Sequence, residues 1–137
     1  MNWNTDVGRR LLERLESDRL VWLTTTDDSG SPQPSLVWFW WTGDDVLVYS
    51  ADTPKIVNIE RSPTVALNFN SDEQGGSVGV MVGRARIDRS HPGAADHPEY
   101  VAKYRRAIEE GLGTTVEGFS ATYSVPILVS PSGGRAW

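Results

Sequence analysis

A chain of 137 residues with 39% hydrophobic and 23% charged side chains fits one compact domain spanning residues 1–137, with enough apolar content for a single core. Thirteen Lys and Arg against eighteen Asp and Glu leave a net charge of −5, which argues against nonspecific binding to nucleic acid or an anionic membrane. The absence of Cys excludes disulfides, a thiolate nucleophile and Cys-ligated zinc or iron–sulfur sites, and no apolar run approaches the roughly 18 residues of a membrane span, so a cytoplasmic location is expected.

Val7, Leu11, Leu12, Leu15 and Leu20 recur at helical spacing, predicting an N-terminal amphipathic helix over Asp6 to Leu20. The β-branched and aromatic run Arg19 to Thr26 reads as a strand, and the turn formers Asp27 to Pro32 follow it. A second strand, Gln33 to Thr42, leads through Gly43-Asp44-Asp45 into a third, Val46 to Ser50. Thr53-Pro54 is a helix start, and Ser62-Pro63 a stop, giving a short helix from Pro54 to Arg61. Strands are expected at Thr64 to Asn70 and Ser77 to about Arg89, separated by a Gly-rich acidic turn.

Tyr100, Tyr104, Ile108 and Leu112 repeat every four residues and mark a second amphipathic helix, Pro98 to Leu112. Val116 to Tyr123 reads as a short helix or turn, and Val125 to Ser130 as a last strand before the tail Pro131 to Trp137. Six antiparallel strands joined by hairpin turns, without βαβ alternation, predict a mainly β protein closed into a small barrel.

Two segments carry chemistry. In Leu36 to Trp41, alternation sends Leu36, Trp38 and Trp40 to one face and Val37, Phe39 and Trp41 to the other, and both faces are apolar. A barrel has one interior, so the outer face must be covered by a helix, a second subunit or a flat ligand. In Ser50-Ala51-Asp52-Thr53-Pro54-Lys55, a Lys in the first turn of a helix opposes the macrodipole unless an anion sits there. Free backbone N–H groups, the Ser50 and Thr53 hydroxyls and the Lys55 ammonium would cradle one phosphate; a solvated Lys on a short helix is the alternative. Lys103, the other lysine of the chain, falls on the second amphipathic helix and offers a comparison.

Other motifs are poorer. His91, Asp96 and His97 lie in a Pro/Gly loop with no further ligand at an interpretable spacing, so no metal site is expected. Neither a GxGxxG loop nor a GxSxG elbow is present. Arg84 and Arg86 share a strand face, where they meet either an acidic cofactor tail or surface carboxylates.

The run TTTDDSGSPQPSLVWFWW followed by DVLVYSADTPKIVNIERSPTVALNFN resembles the flavin/deazaflavin oxidoreductase family with the split β-barrel of pyridoxamine 5′-phosphate oxidase, and within it the short F420-dependent branch. The resemblance implies a homodimer with two cofactors in clefts between subunits. It implies that Lys55 holds the cofactor phosphate together with Ser50, Ala51, Thr53 and Pro54, that Leu36, Val37 and Trp38 lie along the ring, and that Asn58 assists from the next helical turn. Pro54 stands where an adjacent basic residue is common in the longer flavin enzymes. The implied activity is hydride transfer from reduced deazaflavin to a conjugated small-molecule acceptor, with solvent or Tyr49 as proton source and no catalytic side chain assigned. An FMN-binding oxidoreductase of the same fold and a non-catalytic F420 or flavin carrier are the alternatives.

Overall fold

The computed structural model describes residues 1–137. Helix α1, Asp6–Ser17, starts where the Thr5 hydroxyl accepts from the Gly8 N–H and turns Leu11 and Leu15 inward. Strands β1 (Leu20–Thr26), β2 (Pro32–Trp38), β3 (Trp40–Trp41) and β4 (Val46–Ser50) follow, then helix α2 (Pro54–Arg61). Strands β5 (Thr64–Asn68) and β6 (Gly79–Ile87), helices α3 (Pro98–Arg106) and α4 (Val116–Thr122) and strand β7 (Val125–Ala136) complete the chain. The fold is a mainly β antiparallel curled sheet of the split-barrel type, ordered β2-β1-β5-β6-β7-β4-β3.

Seven strands replace the six expected because the second one breaks at Phe39. Trp38 pairs with Leu20 of β1 and Trp40 with Leu47 of β4, so one residue carries the chain from one edge of the sheet to the other. Phe39 thereby loses its ladder partners, and α3 replaces them. Its N–H donates to Tyr104 Oη at 2.9 Å, while its carbonyl accepts from Lys103 Nζ at 3.0 Å and lies 2.8 Å from Tyr104 Oη. Lys103 Nζ also donates to the Asp18 carbonyl at 2.6 Å and lies 4.1 Å from the centre of the Phe39 ring. Lys103 is therefore a clamp on the barrel seam and not the neutral comparison expected from its place on the second amphipathic helix.

The last strand also runs further than its composition suggests. Pro131, Gly133 and Gly134 read as a tail, yet β7 continues to Ala136 beside β6, with a register shift at Val82/Gly83. A side chain at Gly134 would meet the Val80 carbonyl at 2.6 Å and Leu11 at 2.7 Å, so that glycine is what lets α1 seat against the strand.

Two cores result. The barrel interior holds Val21, Leu23, Phe39, Val48, Leu67 and Ile127 with Leu11 and Leu15 of α1 and Ile56 and Ile59 of α2. A second cluster lies under α3 and α4, where Leu47, Tyr49 and Leu128 from the outer face of β4 and β7 meet Tyr100, Tyr104, Ile108 and Phe119. Strand β4 is buried at all five positions because both its faces are covered. The same helices cover Trp38 and Trp40, which pack against the second cluster. The two-faced aromatic strand thus finds its cover within its own chain, and its sequence pattern does not by itself require a second subunit. A different face is left open: register places Trp22, Leu36, Ala66, Val80 and Val82 together on the outside of β1, β2, β5 and β6, and none joins either core. Leu36 and Val82 are 43% and 48% exposed.

Candidate functional site

Strands β2 and β4 run out beneath helices α3 and α4. They enclose an open cavity of about 310 Å³ whose wall is mostly apolar. Leu36, Val37 and Trp38 form one side, and the β4–α2 connection supplies Ser50, Ala51, Thr53 and Lys55. Seven of the residues singled out in the sequence are thus brought together. Pro54 and Asn58 are not among them. They line an adjoining polar groove of about 860 Å³ that shares Thr53 and Lys55 with the cavity.

Asn58 is already engaged. Its amide Nδ2 donates to Thr25 Oγ1 at 3.3 Å and its Oδ1 accepts from Arg61 at 3.2 Å, so the buried side chain ties α2 to β1. This internal bonding, and its place on the groove, argue for a structural part in place of the assisting one expected.

Lys55 differs from every other cation around the cavity and groove. Arg61 donates to the Thr26 carbonyl at 3.0 Å, whereas half-buried Lys55 stands in the first turn of α2 without a partner. Burial alone pushes its ammonium below the usual lysine range, with no carboxylate to offset it. Thr53, the residue before the helix, makes no side-chain capping bond, and Pro54 contributes no N–H. Ser50 Oγ donates to the Ala51 carbonyl at 2.7 Å, leaving its oxygen lone pairs free to accept. A helix start, an unpartnered ammonium and an uncommitted hydroxyl therefore meet at one end of an aromatic cavity.

The groove is mixed in charge. Asp27, Asp28 and Asp52 line it beside Lys55 and Arg61. Hydrogen bonds from Ser29 and Ser31 hold the Asp27 carboxyl down to about 2.

The opposite wall was not assigned from the sequence. Tyr100, Leu112, Phe119 and Tyr123 reach the cavity from α3, α4 and the segments beside them. Helix α3 passes into a π turn at Ala107–Gly111, after which Leu112, flanked by Gly111 and by Gly113 at φ +66°, is left 50% exposed at the cavity. The four-residue spacing of Tyr100, Tyr104, Ile108 and Leu112 announced one packed face, and the π turn is what diverts its last member to the cavity. Trp38 is stacked on the protein's own rings, Tyr104 at 4.8 Å and Phe119 at 5.4 Å. Trp40 lies on a separate cavity beside Lys103. Tyr49 contributes to the wall; its hydroxyl donates to the Pro92 carbonyl at 2.8 Å, so in this structure its proton is engaged within the protein, and burial pushes its ionisation up to about 12. Arg86 pairs with Asp45 at 3.1 Å and lines a different surface depression, away from any acidic tail at this cavity. No group of three His, Asp or Glu side chains is arranged to hold a metal ion.

Residues 8–119 match the family described as pyridoxamine 5′-phosphate oxidase. The chain belongs to this family. Its split barrel is similar to that of an F420 reductase, with a TM-score of 0.67 and 21% identity over 90% of this chain and 94% of that one. It is also similar to HutZ, a heme storage protein from Vibrio cholerae (TM-score 0.60, 18% identity, 99% of this chain and 95% of that one). General Stress Protein 26 from Bacillus anthracis gives a TM-score of 0.66 at 16% identity, over 93% of this chain and 90% of that one. Likeness at these identities speaks to the fold. Comparison with curated protein sequences gives no match. The pyridoxamine 5′-phosphate oxidase family includes oxidoreductases, and its fold binds flavins. No helix of this member is long and apolar enough to cross a membrane.

Proposed function

We propose that the protein is a cytoplasmic, F420-dependent oxidoreductase that passes a hydride from reduced deazaflavin to a conjugated small-molecule acceptor. The observation that carries the reading is Lys55: a half-buried ammonium without a partner, in the first turn of α2, at the end of an aromatic cavity. Such a group is costly in the empty protein and is stabilised by an anion. The cavity's apolar, aromatic walls suit a fused ring, and the Lys55 end suits its phosphate.

Lys55 is the single cation on the cavity wall, and Pro54 occupies the neighbouring position. One lysine balances the single charge of a phosphodiester, as in F420, better than the nearly two charges that a monoester such as FMN carries near neutral pH. The likeness to an F420 reductase supports the same choice. FMN in this site is the second reading, since the family fold binds flavins.

A deazaflavin bound here would supply the hydride. The protein's own residues then position and exclude. Thr53 and Lys55 would hold the cofactor's phosphate end, Leu36 and Val37 would pack along its ring, and Leu112 and Phe119 would cover it from water. The new C–H bond displaces an electron pair onto the acceptor's heteroatom, which takes a proton from solvent.

A second copy of the chain is the proposed cover for the open outer face of β1, β2, β5 and β6. The apolar patch from Trp22 to Val82 includes Leu36, which also lines the cavity, so a copy seated there lies at the cavity's edge. The test is anaerobic oxidation of reduced F420 by a quinone or an enone, with and without the protein. The proposal expects acceleration that follows protein concentration. Turnover with reduced FMN alone would favour the flavin reading, and tight F420 binding without turnover would identify a carrier.

A further inference from the structure

Three tyrosines are buried beneath α3 and α4, and two have hydroxyl partners. Tyr49 Oη donates to the Pro92 carbonyl, and Tyr104 Oη accepts from the Phe39 N–H and lies 2.7 Å from the Arg19 carbonyl. Tyr100 is 1% exposed, yet its hydroxyl has no partner in the protein. It is not sealed in: the one enclosed, unpartnered side-chain atom of the molecule is Nε2 of His91, so part of the sliver of surface that Tyr100 keeps belongs to its oxygen. Tyr100 is also one of the residues that line the aromatic cavity.

Packing holds the ring in place. Tyr49 meets it edge-on at 4.8 Å, Tyr104 lies at 4.9 Å and Phe119 at 6.2 Å. Because Oη lies on the axis of the ring, rotation about the ring bond cannot carry it to another acceptor. Burial, reinforced by the neighbouring tyrosines, pushes its ionisation far above the ordinary tyrosine range, so the group stays a donor. A buried hydroxyl donor without a protein acceptor needs one from whatever fills the cavity.

We propose that Tyr100 is the polar anchor of the cavity, donating a hydrogen bond to a ring carbonyl oxygen of the planar conjugated molecule seated there. This rests on the function proposed above and names the chemistry the site reads. Hydride arriving at a conjugated carbonyl drives an electron pair onto that oxygen, where a fixed donor grows in value as charge develops. Tyr100 acts there as a donor and keeps its proton. Both the acceptor and the cofactor ring present such carbonyls, and binding distinguishes them.

Tyr100→Phe removes one oxygen and leaves the ring packing in place, so its thermal midpoint should stay near that of the parent. The probes are 1,4-naphthoquinone and its carbonyl-free counterpart naphthalene, titrated against cofactor-free protein and against protein loaded with F420 or FMN. The variant is expected to lose about threefold to tenfold in affinity for a carbonyl-bearing ligand and nothing for naphthalene. A loss confined to F420 and FMN assigns the bond to the cofactor ring. A loss of quinone affinity in the loaded protein assigns it to the acceptor. Equal losses for quinone and naphthalene, unchanged affinity for every carbonyl-bearing probe, or no binding of any probe by the parent would overturn the proposal. If the parent binds neither F420 nor FMN but Tyr100→Phe still weakens quinone binding and leaves naphthalene binding unchanged, the cofactor reading fails and the anchor stands.

Discussion

Replacing Lys55 with Ala separates folding from binding. In the empty protein the Lys55 ammonium is half-buried, faces the positive end of α2 and has no partner, so its removal deletes a cost and no contact. The thermal midpoint should hold or rise slightly. With a phosphate present, the lost charge-assisted hydrogen bond is worth about 1.5–3 kcal/mol, or roughly ten- to a hundredfold in dissociation constant. Intrinsic fluorescence titration with F420 and with FMN reads this directly. Lys55→Arg should retain much of the affinity, because the charge stays while the reach and fork change. Arg105→Ala is the proper control, since Arg105 is exposed on α3 and paired with Glu109. Lys103 cannot serve, because it holds the carbonyls of Asp18 and Phe39. Affinity for phosphate-bearing ligands should also weaken with rising pH, as Lys55 loses its proton earlier than an ordinary lysine. A Lys55→Ala protein that binds both cofactors as tightly as its parent, or one that fails to fold, would refute the phosphate cradle.

Lys103 predicts a second pH effect. Its folded ionisation is lowered to about 8 by burial, so its charge costs stability below that pH. The cost is relieved as pH rises from about 8 toward the ordinary 10.5, and this group's contribution to stability therefore increases across that window. Urea unfolding at several pH values should show this gain in the parent and its absence in Lys103→Met. Trp38→Phe should reduce the fluorescence change on cofactor binding, whereas Trp40→Phe, on a separate cavity, should leave it intact. Val82→Glu on the open sheet face should turn a dimer into a folded monomer by sedimentation; a parent that is itself monomeric at micromolar concentration would remove the second copy from the account.

Local chemistry made some elements legible and others not. Helix α2 spans Pro54–Arg61 as read, because Thr-Pro starts it and Ser-Pro stops it, and β4 matches because turn residues bound it on one side. The cradle residues were accessible for the same reason: Ser50, Thr53 and Lys55 are neighbours in the chain. The facing wall was not, since helical periodicity tells which side of α3 is buried and nothing about a cavity left between that side and β4. The break at Phe39 was hidden in an unbroken apolar run, for its cause is the distant hydroxyl of Tyr104 and ammonium of Lys103. Gly134 looked like part of a tail because close approach by α1 is a tertiary fact. Asn58 lies three residues beyond Lys55 on the groove they share, but its amide is spent on Thr25 and Arg61, which no spacing rule reveals.

Equilibrium titration of the purified protein with F420, and separately with FMN, asks whether the cavity beside Lys55 holds a deazaflavin. Saturable binding of F420 is expected, one molecule per chain, tighter than FMN and diminished in Lys55→Ala. Failure of both cofactors to bind the parent would contradict the proposed function.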